Sequence, residues 1–166
     1  MDKQENLILI GMPGSGKSTL GKQLAKALHM RFMDADRAIE KETGEPLQKT
    51  IDRDGPEAFL RVEERVLLSL CVSGCVLATG GSAVYSDAAM KHLKADGRAV
   101  YLSVPFSEIQ TRLADFSGRG IVLKNGCGLK DAYLERAPLY EKYADITVDC
   151  AGLSADECLN ALLSRL

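Results

Sequence analysis

The chain has 166 residues, of which 46% are apolar and 27% charged, and its formal net charge is -2. These values are typical of one globular domain and lack the strong positive charge of a nucleic-acid binder. No apolar run approaches membrane-spanning length, and the polar start over 1–5 is unlike a signal peptide. We expect a cytoplasmic protein that is a monomer and has no nucleic-acid or membrane partners.

The first predicted element is a strand over Asn6–Ile10, because its continuous apolar run suits a central parallel strand buried on both faces. A helical pattern rich in Leu and Ala begins near Lys17 and ends near His29. The stretch between them, Gly11–Thr19, matches G-x-x-x-x-G-K-[ST]. This strand–loop–helix setting is the one that the phosphate-binding motif requires.

In such a loop, backbone N–H groups wrap a phosphate, and the following helix adds the positive end of its dipole. Lys17 is expected to reach the β- and γ-phosphates of a nucleoside triphosphate, and the Ser18 hydroxyl is expected to bind Mg²⁺. The alternative is a glycine-rich turn that precedes a helix by chance. The predicted nucleotide-binding residues of the loop are Gly11, Gly14, Ser15, Gly16, Lys17, Ser18 and Thr19.

Two carboxylates follow a short second strand predicted over Arg31–Asp34. Ligands of open α/β sheets bind at the carboxyl ends of the strands, so Asp34 and Asp36 should face the phosphate loop. We predict that Asp34 helps Ser18 to hold Mg²⁺ and that Asp36 acts as base or orienter for an acceptor hydroxyl. The alternative for Asp36 is a helix N-cap, and the two roles are compatible.

Three helices are predicted next, over Asp36–Glu42, Pro46–Ile51 and Glu57–Val72. The apolar face of the last one is formed by Phe59, Val62, Val66, Leu67 and Leu70, and its polar positions are Arg61, Glu63, Glu64 and Arg65. A third strand over Gly74–Ala78 leads into a second glycine-rich loop. There Gly80 and Gly81 let the backbone approach a substrate closely, unless they form only a tight turn.

The remaining predicted elements are helices over Ser86–Leu93, Pro105–Ala114, Lys130–Tyr140 and Ser154–Leu166 and strands over Arg98–Ser103 and Asp145–Val148. Segment 116–128 has four glycines and little periodicity, so it is predicted to be a lid. Its Arg119 is expected to neutralise the γ-phosphate when the lid closes, unless it is a solvated loop arginine. Arg136 is predicted to bind an anionic substrate group. The alternative for Arg136 is a surface ion pair with Glu135 or Glu141.

Alternating strands and helices predict a single α/β domain over 1–166 with a parallel sheet. The five cysteines include no Cys-x-x-Cys pair, and the chain has only two histidines. We therefore expect reduced thiols rather than disulfides or a zinc site, mostly buried, with Cys127 exposed.

Several elements occur together in a recognisable order: the loop Gly11–Thr19, Asp34-x-Asp36 with Ile39-Glu40, Thr43-Gly44, Phe59 with Glu63-Glu64, Gly80-Gly81, Arg119, and Arg136-Ala137-Pro138-Leu139-Tyr140. In this combination the chain resembles the shikimate kinase family over nearly its whole length. The resemblance implies a P-loop fold of the nucleoside-monophosphate-kinase type, which is a three-layer α/β sandwich. Its five-stranded parallel sheet would have the order 2-3-1-4-5.

The resemblance also implies ATP with Mg²⁺ as phosphoryl donor and shikimate as acceptor, giving shikimate 3-phosphate. It implies Asp34 near the metal, Asp36 and Gly81 at the hydroxyls of the acceptor, and Arg136 at its carboxylate. Arg119 would be the arginine of the lid, and Arg112 would pack near the adenine. A helical segment over about 36–62 would contribute to acceptor binding.

Three features depart from the family pattern. Leu60 stands where the family usually has an arginine that binds the carboxylate of shikimate, and Ser82 stands where it has a third glycine. After Arg119 the chain has Gly120-Ile121 where the family usually has Pro-Leu. The residues that handle phosphate are thus intact, whereas those that bind the acceptor are partly changed.

The leading hypothesis is an ATP-dependent kinase of a small hydroxylated carboxylic acid, with shikimate as the acceptor. Leu60 and Ser82 favour one alternative, a related kinase for a gluconate-like sugar acid. The other alternative is a catalytically silent ATP-binding homologue with a regulatory role.

Overall fold

The computed structural model describes residues 5–114 and 120–166. Its strands are β1 (Asn6–Ile10), β2 (Arg31–Asp34), β3 (Cys75–Ala78), β4 (Gly97–Ser103) and β5 (Ile146–Asp149). Its helices are α1 (Lys17–Ala27), α2 (Ala35–Thr43), α3 (Leu47–Asp54), α4 (Pro56–Ser69), α5 (Asp87–Lys94), α6 (Phe106–Ala114), α7 (Leu129–Tyr143) and α8 (Ala155–Leu163), with a 3₁₀ turn over Ala83–Tyr85. None of these helices combines the length and apolarity needed to cross a membrane. Arg119 and the first part of the predicted lid lie outside the described residues.

The five strands form one parallel sheet in the order β2-β3-β1-β4-β5, which confirms the predicted fold. The register places Ala78 of β3 beside Asp34 on one side and Leu9 on the other. The carboxyl ends of β1, β2 and β3 therefore meet at one edge of the sheet. The phosphate loop, Asp34 and the second glycine-rich loop all start from that edge.

Helices cover both faces of this sheet. All five residues of β1 are buried, and successive side chains of a strand point to opposite faces, so neither face is open to water. Helices α1 and α8 pack together along β1, β3 and β5, whereas α5 and α7 contact β4. The rings of Tyr101 on β4 and Tyr140 on α7 stack with centroids 5.2 Å apart. The layers are helix, sheet and helix, as predicted.

Helix ends differ from prediction by a few residues, for one local and one long-range reason. Helix α3 continues to Asp54, because Gly55 adopts a φ of 83° and its N–H donates to the Ile51 carbonyl, 2.8 Å away. Helix α7 continues through Pro138 to Tyr143, although the prediction ended it at Tyr140. The proline removes one intrahelical hydrogen bond. The turn that follows it is held by the side-chain hydroxyl of Tyr143, which donates to Asp87 at 2.7 Å.

A second, smaller apolar core lies apart from the core of the sheet. Its buried residues are Ile39, Leu47, Ile51, Phe59, Val66 and Val122. They come from α2, α3 and α4 and from the segment before α7. Gly120 lies so close to α3 that an added Cβ would be 2.4 Å from the Cβ of Leu47. The described part of the predicted lid is therefore packed onto the helices that the resemblance assigns to acceptor binding.

Candidate active site

The loop between β1 and α1 turns sharply into the start of the helix. Gly14 and Gly16 have φ values of 79° and 91°, in the left-handed region that glycine adopts without strain. Gly11 lies behind the loop, where an added Cβ would be 2.9 Å from the carbonyl oxygen of Leu102 on β4. The loop thereby presents its backbone and the N-terminus of α1 to one cavity, as the motif predicts.

Lys17 is the first residue of α1, and its ammonium is held inside the loop. Nζ donates hydrogen bonds of 2.7 Å to the carbonyl oxygens of Gly11 and Met12 and lies 3.4 Å from Ser15 Oγ. The residue is 8% exposed. A buried ammonium at a helix N-terminus makes this a strongly electropositive position, suited to phosphate oxygens.

Ser18 and Asp34 are brought together as predicted for a metal site. The Ser18 hydroxyl donates to Asp34 Oδ2 at 2.8 Å. Oδ1 of Asp34 accepts from the backbone N–H of Asp36 at 3.0 Å, which makes Asp34 the N-cap of α2. The N-cap alternative for Asp36 is therefore wrong. A hydroxyl and a carboxylate beside a phosphate site are the hard oxygen donors that suit Mg²⁺, so these residues fit the ion.

Asp36 lines the same cavity and lies beside Gly80 of the second glycine-rich loop. A Cβ added to Gly80 would be 2.9 Å from Asp36 Oδ1 and 2.8 Å from Glu63 Oε2. Two carboxylates thus flank one glycine, and any larger residue there would displace them. The lack of a side chain at Gly80 therefore makes room for these two carboxylates, and its predicted contact with a substrate stays a prediction.

Glu63 is the residue that sequence reasoning missed, because it was assigned to a polar position of α4. It is 3% exposed, and its Oε1 accepts a 2.6 Å hydrogen bond from the Ser82 hydroxyl. Burial, with the nearby charge of Asp36, raises the pKa of Glu63 to about 7. The signal was present in the spacing: Glu63 stands four residues after Phe59 and four before Leu67, on the apolar face of the helix.

At Gly81 the second glycine-rich loop packs directly against the phosphate loop. Its carbonyl oxygen accepts a 2.6 Å hydrogen bond from the buried hydroxyl of Tyr140. An added Cβ would lie 2.5 Å from the ring Cδ of Pro13, which is held in the phosphate loop. The tight-turn alternative therefore accounts for only part of the role of Gly81.

Replacing Gly81 with alanine is expected to lower the free energy of unfolding by about 1–3 kcal/mol, the usual cost of overpacking. The proline ring cannot move away as a flexible side chain would, so the two loops must separate. Urea unfolding measures the loss. The matched control is Gly128→Ala, where the nearest atom to an added Cβ is 3.8 Å away, and equal stability losses in both variants would contradict the steric argument.

Arg136 is 1% exposed, so the predicted alternative of a surface ion pair is wrong. Its Nε donates to the Tyr85 hydroxyl at 3.1 Å, and Nη2 donates to the Val122 carbonyl. The guanidinium carbon lies 5.2 Å from the centroid of the Tyr85 ring. Within residues 5–114 and 120–166, no carboxylate forms an ion pair with Arg136. A buried cation held by neutral groups is a strong site for an anion.

One cavity of about 720 Å³ connects these groups. It is lined by the phosphate loop from Pro13 to Thr19 and by Asp34, Asp36, Gly80, Gly81, Arg112 and Arg136. Arg112 donates to the Gly14 carbonyl at 3.1 Å, at the nucleotide end. Among the predicted site residues, Gly11 supports the loop from behind and Arg119 lies outside the described residues.

The cysteines are free thiols, of which Cys75, Cys150 and Cys158 are buried. Cys127 is exposed, as predicted, and Cys71 is exposed as well. Cys150 and Cys158 line the main cavity. Within the described ranges no cluster of His, Cys, Asp or Glu side chains forms a metal-binding group of three.

The strand order, together with the glycine-rich loop between β1 and α1, defines the chain as a kinase of the P-loop fold. The family model for shikimate kinase matches residues 13–166. The chain therefore belongs to the shikimate kinase family, whose members are phosphotransferases that act on a hydroxyl group.

Individual members of the family are similar to this chain over nearly its whole length. A shikimate kinase from Pseudomonas aeruginosa is 40% identical over 164 residues, covering 97% of this chain and 95% of the relative. One from Thiobacillus denitrificans is 36% identical over 169 residues, covering 100% and 92%. The solved structure of shikimate kinase from Acinetobacter baumannii in complex with shikimate has a TM-score of 0.87 and 30% identity, covering 98% and 92%. The family predicted from the motifs is confirmed.

Proposed function

We propose that the protein transfers the γ-phosphoryl group of ATP to a hydroxyl of shikimate and forms shikimate 3-phosphate. The observation that carries this proposal is the shared cavity, which holds a phosphate loop at one end and a buried guanidinium at the other. Asp36 lies between them at the second glycine-rich loop. A small acid that carries both a hydroxyl and a carboxylate fits this order of groups.

At the donor end, the loop amides and the Lys17 ammonium bind the phosphates and stabilise the charge that spreads over the transferred group. Ser18 and Asp34 would hold Mg²⁺, and the bound ion would neutralise part of the negative charge of the phosphates. Arg112 is proposed to pack near the adenine, and Arg119 to cover the γ-phosphate from the lid. These roles add positive charge where the transition state needs it and exclude water from the reacting phosphate.

At the acceptor end, Arg136 binds the carboxylate of shikimate through its planar fork. Asp36 accepts a hydrogen bond from the attacking hydroxyl and takes its proton as the new bond to phosphorus forms. Gly80 and Gly81 bring the backbone close to the remaining hydroxyls. Phosphoryl transfer has a loose transition state, so the placement of the hydroxyl in line with the γ-phosphate is the main contribution of these residues.

The direct test is release of ADP by the purified protein with ATP and Mg²⁺, comparing shikimate with a panel of sugar acids and polyols. Saturable turnover on shikimate is the expected result. Turnover on a gluconate-like acid alone would mean that Leu60 and Ser82 mark a change of acceptor. ATP binding without ADP release for any acceptor would support the silent homologue instead.

Leu60→Arg is expected to lower the KM for shikimate about tenfold or more. Leu60 lines a smaller cavity beside Glu63 and Ser82, so an arginine there adds a cation next to the acceptor end. A charge-assisted hydrogen bond is worth about 1.5–3 kcal/mol, which corresponds to a factor of about 10 to 150 in affinity.

Leu68→Arg is the matched control, because Leu68 is on the same helix and 40% exposed. It adds the same charge at the surface and is expected to leave the KM for shikimate unchanged. An unchanged or higher KM in Leu60→Arg would contradict the assignment of this position to the acceptor site.

We propose that the protein functions as a monomer. The cytoplasmic location and the absence of a nucleic-acid partner stay predictions from composition. Light scattering of the purified protein measures the oligomeric state.

A further inference from the structure

The hydrogen bond between Ser82 and Glu63 forms a wall between two cavities. Both residues line the main cavity of about 720 Å³ and also a smaller one of about 150 Å³ that contains Leu60 and Tyr85. The wall is buried, with Glu63 3% and Ser82 5% exposed. Oε1 of Glu63 accepts from Ser82, whereas Oε2 lies beside Gly80 at the acceptor end.

Charged groups from several elements face Glu63. The Asp36 carboxylate approaches from α2, the Arg136 guanidinium from α7 and the Lys17 ammonium from the start of α1. Asp36 favours a neutral Glu63, while the two cations and the Ser82 hydroxyl favour an ionised one. Burial outweighs them all and raises the pKa of Glu63 to about 7.

The side chain at position 60 completes this environment. Leu60 lines the small cavity on the far side of the wall and brings no charge to it. Arg61 and Glu64, which have opposite charges, line the same small cavity, so with leucine at position 60 the cavity contributes no net positive charge beside Glu63.

We propose that Glu63 is a positioning and specificity-determining residue that admits the acceptor carboxylate only while it is protonated, so that acceptor binding weakens as Glu63 ionises. This inference rests on the proposed function and identifies the form of the site that takes an anionic acceptor. An ionised Glu63 would place a second negative charge next to Asp36 and would compete with the acceptor for the field of Arg136. A neutral Glu63 leaves Arg136 to the acceptor.

The sign of the pH dependence follows from this competition. When the pH is below the pKa of Glu63, its carboxyl group is protonated and neutral, and the KM for shikimate is low. As the pH rises, Glu63 loses its proton and the KM increases, while kcat changes little because the bound complex keeps the protonated form. For a group that titrates near pH 7, the KM should increase about tenfold between pH 6 and pH 8.

The kinetic test measures kcat and KM for shikimate between pH 5.5 and 9 in three proteins. Wild type should show the increase in KM, and Glu63→Gln, which imitates the neutral acid, should show a flat profile. Glu57→Gln removes the same charge from an exposed position of the same helix and should behave as wild type. A flat wild-type profile, or an increase that survives in Glu63→Gln, would overturn the proposal.

The second measurement does not depend on turnover or on the variants. The ¹³C shift of the Glu63 carboxyl group is titrated by NMR in the wild-type protein, with and without shikimate. Because the ligand should bind the protonated form, shikimate is expected to raise the pKa of Glu63, by linkage. An unchanged or lowered pKa would contradict the proposal. Absence of turnover on shikimate at every pH would instead contradict the proposed function, and this titration would still decide the role of Glu63 in binding.

Discussion

Lys17→Ala is expected to lower kcat for shikimate phosphorylation about 1,000-fold, which corresponds to about 4 kcal/mol of transition-state stabilisation. Its ammonium is buried in the phosphate loop, where it donates to the carbonyl oxygens of Gly11 and Met12. Those contacts fix its position before the nucleotide binds, so its charge meets the γ-phosphate without reorganisation. Alanine removes that charge, and a water molecule in its place would stabilise the phosphate charge much less.

The measurement is steady-state ADP release at saturating ATP and shikimate. Circular dichroism and thermal unfolding show whether the variant keeps its fold. Lys26→Ala is the control, because Lys26 is an exposed lysine in the last turn of the same helix. A folded Lys17→Ala protein with more than about a tenth of wild-type turnover would exclude the proposed role, because losing one such donor ordinarily costs 100-fold or more.

Asp36→Asn is expected to lower kcat about 100- to 10,000-fold, the range of general acid–base catalysis, while the affinity for ATP changes less than about threefold. Asparagine keeps the shape of the side chain but cannot take a proton from the acceptor hydroxyl. Asp36 Oδ1 lies beside Gly80 and the Glu63 carboxylate, whereas the Lys17 ammonium is held inside the phosphate loop. The loss should therefore fall on turnover and not on nucleotide binding.

Calorimetry measures ATP affinity, and ADP release measures turnover, in the same preparation. Asp52→Asn is the control, since Asp52 is an exposed aspartate on the neighbouring helix α3. Loss of ATP affinity in Asp36→Asn with turnover retained would reverse the assignment. It would place Asp36 at the nucleotide instead of the acceptor.

The fold was predictable because its strongest signals are local in the sequence. The apolar run over Asn6–Ile10 is typical of a strand buried on both faces, and the glycine pattern after it indicates the loop and the next helix. The same logic placed Asp34 and Asp36 at the ligand-binding edge. Which of the two caps α2 could not be read from the sequence, because both are good caps and the choice depends on where β2 stops.

It was harder to predict which charged residues of the candidate acceptor site are buried than to predict which residues form it. The sequence left open whether Arg136 binds an anionic group or forms a surface ion pair, and the structure buries it where Tyr85 and Val122, distant in sequence, accept its hydrogen bonds. Glu63 reads as a polar position, although its spacing from Phe59 and Leu67 places it on the buried face. For Arg136 a long-range contact decides the environment of the charge, and no local pattern reports such a contact. For Glu63 the local spacing did carry the signal.

The separation of the two apolar cores has a consequence for how such a protein can change over evolutionary time. Ile39, Leu47 and Phe59 stabilise α2, α3 and α4, and they belong to a different cluster from the residues beneath the phosphate loop. Substitutions in the smaller cluster can therefore reshape acceptor binding at little cost to the sheet. Leu60 packs against that smaller cluster. We expect lineages to explore new acceptors through this part of the chain, while the machinery that activates phosphate is inherited unaltered.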